Sequence, residues 1–387
     1  MNPCDVALIG TAGYGSMHLA NLLRLQAAGR LRIAGLCDTR PRPEVLRQVP
    51  TASMHTEVED LLAQVRPDVV VVATPPHSHA TIAAAALSAG SHVLLEKPPT
   101  TSLADHDQLQ ELQIRTGRIV QVGFQSLGSE ALAHARQQID DGAIGVLEGF
   151  GGAGSCIRDQ AYFNRSVWAG RRTLDELAVV DGALTNPFAH ATATALRLDG
   201  SDERGDLSEV TVELFRANDI ESDDTSCLAL RTHRGTRIVV AATLCASQDR
   251  QPYVVAIGSE GTLRLEYRTH RLELHRGTTV TRSEHGNVDL LENLLDHLDD
   301  PSVELLSPLA RSGAFMEVLE AVRTAPDPTR LEEHHLTRHQ GEGGEHRQVN
   351  GVDEAVRRSA AELATFSELG LPWATPPRPA MTRSGQS

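Results

Sequence analysis

Three stretches of the chain carry residue types that could do chemistry together. The first, Gly10-Thr11-Ala12-Gly13-Tyr14-Gly15, separates an apolar strand at 6–9 from a helix at 16–28. A glycine-rich turn in that place sets backbone N–H groups and the positive end of a helix against a phosphate. The run departs from G-x-G-x-x-G, with Ala12 at the second position and Gly13 one residue late, so the backbone must adjust near a pyrophosphate. The second stretch ends a strand at 31–37 with Asp38, about 20 residues beyond the glycines, where an acid takes the ribose hydroxyls of NAD. An acid there repels the 2′-phosphate of NADP, although Arg40 and Arg42 could hold that phosphate. The alternative is that Asp38 caps the turn at 39–41. NAD is the expected cofactor, with NADP left open.

The third stretch, residues 68–100, reads as strand, loop, helix, strand and polar turn. Its β-branched run at 68–73 has the continuous apolarity of a strand buried on both faces. Thr74-Pro75-Pro76 stops that strand, because proline cannot donate to a ladder. An Ala-rich helix at 79–89, closed by Gly90, leads to a strand at 93–95 that delivers Glu96-Lys97-Pro98. Ligands of open α/β sheets bind beyond the carboxyl ends of strands. Both loops therefore face one crevice, and one of them carries a lysine held by proline.

The elements that position these residues follow the same alternation. Helices at 58–65 and 103–116 and a strand at 119–124 complete a doubly wound parallel sheet of the α/β class. From residue 130 the pattern changes. A helix at 130–140 and Gly-rich chain precede alternating segments at 209–215, 227–232, 236–242, 253–257, 262–267 and 271–274, which predict an antiparallel meander. Helices at 288–298, 308–323 and 352–369 follow. The expected organisation is a nucleotide-binding Rossmann domain over 1–125, a substrate-binding and oligomerisation α/β domain with a large, mostly antiparallel sheet over 126–372, and a disordered tail over 373–387.

Composition excludes other classes. With 387 residues the chain accommodates two domains, and a net charge of −15 argues against nucleic acid or an anionic membrane as partner. No apolar run reaches membrane-spanning length, and the start passes straight into a strand without a basic leader. Five scattered cysteines with no C-x-x-C read as reduced thiols of a cytoplasmic protein. The His-rich segment at 332–350 invites a metal reading, but its spacing fits no tetrahedral set, and its Gly-Glu-Gly-Gly piece reads as a solvated loop. No metal is expected.

Four motifs in order, Gly10-x-x-Gly13-x-Gly15-x-x-His18, Thr74-Pro75-Pro76-x-x-His79, Ala89-Gly90-x-His92-Val93-x-x-Glu96-Lys97-Pro98 and Asp181-Gly182-Ala183-Leu184-x-Asn186-x-x-x-His190, resemble the Gfo/Idh/MocA oxidoreductases, the glucose–fructose oxidoreductase and inositol 2-dehydrogenase family. The middle two are specific. The likeness covers the first domain well and the second chiefly at 162–190. It implies NAD(P)-linked hydride transfer at a secondary carbinol of a sugar, cyclitol or related polyol, and a homodimer or homotetramer built on an open sheet face. It implies that Lys97 touches both the nicotinamide ribose and the substrate hydroxyl, and that positions 186 and 190 hold an acid–base pair. Thr74, Pro75, Pro76, His79, Glu96 and Gln125 then flank the cofactor with the glycine turn.

The chemistry agrees for two of the three catalytic positions. Hydride leaves a carbinol carbon only as its hydroxyl proton leaves, so a base must reach that oxygen. His190, with an ordinary pKa near ~6.5, suits the role. Lys97, partly buried beside a cationic nicotinamide, is expected to have a lowered pKa and to stabilise alkoxide charge. Asn186 stands where the family has aspartate. It shares a helical face with His190 if both lie on one helix, but it cannot take a proton. His190 then works without that charge, Asp181 or another acid replaces it, or the chemistry is not simple dehydrogenation. His18 and His79 read as structural, Tyr162 and Trp168 as sugar-lining or core. Three functions stay open: a dehydrogenase, an enzyme that keeps NAD bound through transient oxidation, and a ligand sensor on the same fold.

Overall fold

The computed structural model describes residues 3–374. They form two compact units, one comprising the chain up to Gly128 with Val288–Met316, the other Ser129–Asn287 and the chain from Glu317. Among these residues no helix is long and apolar enough to cross a membrane.

The first unit is built on six parallel strands: β1 (Cys4–Ile9), β2 (Leu31–Cys37), β3 (Ser53–His55), β4 (Val69–Val72), β5 (His92–Glu96) and β6 (Val120–Gly123). Their order is β3-β2-β1-β4-β5-β6, so the winding reverses between β1 and β4. That reversal opens a crevice at the carboxyl ends of the strands. The four valines of β4 are wholly buried, as a strand covered on both faces requires. β3 escapes the sequence reading because three residues are too short to show alternation.

One correction concerns the helix Leu290–Asp299, which the sequence reading assigned to the second domain. Its Leu290, Leu291, Leu294 and Leu295 pack among Val6, Leu8, Ile33 and Val71 in the first core. Burying each leucine contributes roughly 1.5–3 kcal/mol. Asp289 caps the helix by accepting from the amides of Leu291 and Glu292.

The second unit carries a nine-stranded sheet. In spatial order its strands are Thr279–Glu284, Arg271–Arg276, Gly261–Glu266, Tyr253–Gly258, β7 (Leu147–Ser155), Arg237–Thr243, Thr225–Thr232, Leu207–Arg216 and Thr329–Arg330. The expected single meander is thus split. β7 lies between its halves, parallel to Arg237–Thr243 and antiparallel to Tyr253–Gly258.

β7 reads as glycine-rich loop because its packing needs glycine. A Cβ at Gly151 would collide with the Ala360 carbonyl of the helix Val352–Glu362, which lies backbone-on-backbone against the sheet. That helix, with Phe366, Trp373 and the chain between, covers one face of the sheet. The helix Ala189–Asp199 packs on the other, its leading Phe188 against Gly154.

Trp373 lies edge-on to Phe215 and Phe366, so the expected tail does not begin there; residues 375–387 lie outside the described part. The His-rich segment is a hairpin, Leu336–Gly341 pairing antiparallel with Gly344–Val349, and its Gly-Glu-Gly-Gly piece forms the turn.

Candidate functional site

In the first unit, the crevice is lined by the turns after β1, β2, β4 and β5. Gly10 has φ +88°, and a Cβ there would stand 2.6 Å from the Ala73 carbonyl oxygen, so glycine alone lets the turn pass the end of β4. Helix α1 (Gly15–Ala27) begins with no side-chain cap at Tyr14 and no acid in its first turn. Its positive end is left to an anion.

Asp38 Oδ2 accepts from the Thr11 amide at 2.8 Å and the Thr11 hydroxyl at 2.7 Å, while Oδ1 accepts from the Arg40 amide at 3.0 Å. Arg42 donates to the Thr11 carbonyl. Burial pushes the Asp38 carboxyl up, but the Arg40 and Thr11 hydrogen bonds and the Arg42 charge outweigh it and hold the group below its usual range. The capping and ribose-binding readings of Asp38 therefore describe one geometry: an ionised acceptor fastened to the glycine turn. An uncapped helix start and a charged acceptor at the next strand end fit a dinucleotide.

Glu96, at the end of β5, is 7% exposed and joins the loops. Its Oε1 lies 2.8 Å from His18 Nε2 and accepts from Gln125 Nε2 at 2.7 Å, and its Oε2 accepts from the Lys97 amide at 3.2 Å. Burial pushes this carboxyl up, yet the hydrogen bond and charge of His18, followed by Lys97 and Gln125, hold it below the ordinary range.

His79 is buried with Nδ1 2.7 Å from the Pro98 carbonyl oxygen and Nε2 2.8 Å from that of Thr74. Burial pushes its imidazole down against the pull of both carbonyls. With both nitrogens engaged, His79 ties the Thr74-Pro75-Pro76 loop to the Lys97-Pro98 loop. Lys97 itself is half-buried.

In the second unit, the expected helical pairing of positions 186 and 190 is not met. The helix is Ala189–Asp199, and Asn186 lies in the turn before Pro187. Its Nδ2 donates to Asp181 Oδ1 at 2.6 Å, and Asp181 Oδ2 accepts from Arg165 at 3.0 Å and the Gly170 amide at 2.8 Å. Asn186 thus supplies the donor that a carboxylate could not. Asp223, buried behind this turn, accepts from the Ala183 amide at 3.0 Å and from the Ser226 hydroxyl.

His190, on the first turn of the helix and half-buried, lies with its ring centroid 6.3 Å from that of Tyr267 at an interplanar angle of 30°. Tyr267 is 2% exposed, its hydroxyl has no hydrogen-bond partner, and burial pushes the phenol up, so it is a neutral donor.

The guanidinium of Arg165 stands 3.8 Å from the Tyr162 ring centroid and 4.8 Å from that of Trp168, and Arg158 lies 5.0 Å from Tyr162. Sequence reasoning found the two aromatics but missed Arg158, Arg165 and Tyr267. The arginine–aromatic interleaving of 158–168 was the available signal; Tyr267 had none. Among the described residues no group of three or more His, Cys, Asp or Glu could hold a metal ion.

Comparison with known proteins bears on these observations. Residues 4–124 match the model of an oxidoreductase family with an NAD-binding Rossmann fold. A curated relative from Comamonas testosteroni, 1-carboxy-3-chloro-3,4-dihydroxycyclohexa-1,5-diene dehydrogenase, is 32% identical over 141 residues, 35% of this chain and 35% of the relative. The scyllo-inositol 2-dehydrogenase (NAD(+)) of Bacillus subtilis is 30% identical over 142 residues, 37% of this chain and 41% of its own length. The chain therefore spans well under half the length of these relatives.

Solved structures align more widely. The WlbA dehydrogenase from Bordetella pertussis, in complex with NADH and UDP-GlcNAcA, gives a TM-score of 0.67 at 22% identity, covering 83% of this chain and 95% of that one. An oxidoreductase from Agrobacterium radiobacter, in complex with NAD+, L-tartaric acid and magnesium, gives 0.68 at 18% identity, covering 82% and 95%. These likenesses establish a shared fold across both units.

Proposed function

We propose, since residues 4–124 match the model of the Gfo/Idh/MocA oxidoreductase family with its NAD-binding Rossmann fold, that the whole chain is an NAD-dependent dehydrogenase or reductase acting on a secondary hydroxyl of a sugar, sugar derivative or cyclitol. The observation that carries this reading is the bonded set at the sheet's carboxyl edge. Thr11 is fixed by Asp38, Thr74 and Pro98 are both fixed by His79, and Lys97 follows the anchored Glu96. Such a set holds a lysine in one place beside a dinucleotide turn.

Bound NAD would supply the hydride acceptor. The chain's residues do the rest. The α1 amides and the glycine turn bind the pyrophosphate, and Asp38, already ionised, accepts from the ribose. Lys97 hydrogen-bonds the substrate hydroxyl and stabilises its developing negative charge. His190 takes the proton. Asn186 orients rather than titrates, being bonded to Asp181. That bond also favours a second reading in which NAD is reduced and reoxidised within one turnover, giving elimination or epimerisation with no net NADH.

Assembly through an open sheet face, expected from the resemblance, has less surface to use here, since the helix Val352–Glu362 and Trp373 cover the centre of one face. The test of function is NADH formation across a panel of sugars and cyclitols, with Lys97→Ala beside the wild type. The variant should bind NAD and lose turnover by at least ~100-fold, the scale of a lost acid–base group. Equal rates would end the proposal. Consumption of substrate without net NADH would transfer it to the second reading.

A further inference from the structure

We propose that the substrate carries an anionic group, a carboxylate, and that Arg158 receives it; this rests on the assignment of His190 to the substrate. Arg158 follows β7, its backbone N–H donating a hydrogen bond to the Leu244 carbonyl at 2.9 Å. One terminal nitrogen donates to the Ile157 carbonyl at 2.7 Å, but Nε is buried without an acceptor, and no carboxylate pairs with the guanidinium among the described residues. A guanidinium has five N–H donors and no acceptor. Leaving one of them buried and unmade costs its desolvation without return.

The neighbouring Arg165 gives the contrast. It lies on the same Tyr162 ring, yet its charge is answered by Asp181 at 3.0 Å. In a chain of net charge −15 carboxylates are abundant, so an unanswered arginine at this place is a donor set held open.

Its place matters. Gly154, near the end of β7, packs against the ring of Phe188, which leads into the helix bearing His190. Arg158 and His190 therefore leave the same end of β7. Arg268, exposed and adjacent to Tyr267, adds a second cation. Burial pushes the nearby Cys156 thiol up to about 11; Arg158 and Arg268 pull against it and Asp249, which accepts from the Ile157 amide at 2.8 Å, adds to it.

A planar guanidinium matches a carboxylate by two parallel N–H···O bonds. The class of ligand is thus a polyhydroxy acid such as a uronate or aldonate. A phosphate ester shares the charge but not the planar fork.

The experiment is a binding titration of the full chain in the presence of NAD, read by tryptophan fluorescence, since Trp168 lies beside Arg165. The probes are D-glucuronate, D-glucose 6-phosphate and D-glucose. D-Glucuronate should bind at least ~10-fold more tightly than D-glucose, Arg158→Ala should erase that preference, and Arg158→Lys should keep part of it, with melting temperatures showing that both variants fold. Equal affinity for acid and neutral sugar, a preference that survives Arg158→Ala, or binding of none of the probes would overturn the proposal. Preference for the phosphate alone would overturn the carboxylate assignment. The readout is independent of hydride transfer: glucuronate bound through Arg158 with no turnover would count against the dehydrogenase and not against this site.

Discussion

The two units handle buried charge in opposite ways. In the first, Glu96 meets His18, Gln125 and the Lys97 amide, and is held below the ordinary carboxylate range although buried. In the second, Asp223 and Asp224 are as deeply buried but are answered by amides and hydroxyls, and burial pushes both above the ordinary range. Among the described residues neither is given a cation. In the nucleotide unit the carboxylates around the loops are answered, while Arg42 Nε is buried without a partner among the described residues. The other unit pairs Asp181 with Arg165 but leaves Arg158 without a carboxylate among the described residues.

The largest effect expected from breaking this contrast is at Glu96. Glu96→Ala leaves His18 and Gln125 without their acceptor in a buried place, and should cost about 3–5 kcal/mol of stability, the scale of a disrupted buried pair. Thermal unfolding measures it. The sign with pH follows from linkage. Because the folded pKa of Glu96 is depressed, its contribution is present above the ordinary carboxylate range, near ~4.3, and is lost as pH falls through the lower folded value. Asp223 and Asp224 run the other way: with raised folded pKa values, their burial is best tolerated protonated, so their contribution grows as pH falls. The gap between wild type and Glu96→Ala should therefore hold at neutral pH and close only in acid. A gap that closes near neutrality would mean Glu96 is not held ionised, and the contrast between the units would fail.

Legibility in the sequence followed the same divide. The glycine turn, Asp38 and the loops after β4 and β5 could be read because short segments, close in the chain, place backbone and side chains by local rules. The return of Leu290–Asp299 to the first core could not be read, since an amphipathic helix does not state which sheet its leucines meet. β7 was hidden by its glycines, whose cause is the helix backbone at Ala360, far along the chain. Lys97 and His190 came from motif and chemistry. Asn186 and His190 do not share a helix, which begins only at Ala189, beyond Pro187. Arg158 and Tyr267 matter through what they lack, and an absent partner leaves no mark in a sequence.

A middle-sized effect is expected at Asn186. Asn186→Asp introduces the residue type that the resemblance implies at this position but places a carboxylate where an amide now donates to Asp181 at 2.6 Å. Two carboxylates at that distance cannot both stay ionised, so one is pushed up in pKa. Stability should fall by about 1–3 kcal/mol at neutral pH, the cost of an unmade buried bond. The deficit should shrink as pH falls and the pair takes up a proton. If the variant instead gains both stability and turnover, the asparagine is a missing charge and not a donor, and the second unit resembles the first.

The smallest effect separates leftover groups from useful ones. Tyr267→Phe removes a buried hydroxyl that has no partner and keeps the ring beside His190. Replacing an unsatisfied polar group by an apolar one of the same shape is neutral to stabilising, so the variant should gain up to ~1 kcal/mol, a rise of about 2–4 °C in Tm for a unit of this size. A hydroxyl that serves the bound substrate makes the same substitution weaken binding of D-glucuronate in the fluorescence titration, while affinity for NAD stays unchanged. Stabilisation together with weaker substrate binding is the signature of a group kept at the expense of stability for a ligand. Stabilisation with unchanged binding would make Tyr267 a packing residue, and the view that the second unit's unanswered donors await a substrate would then rest on Arg158 alone.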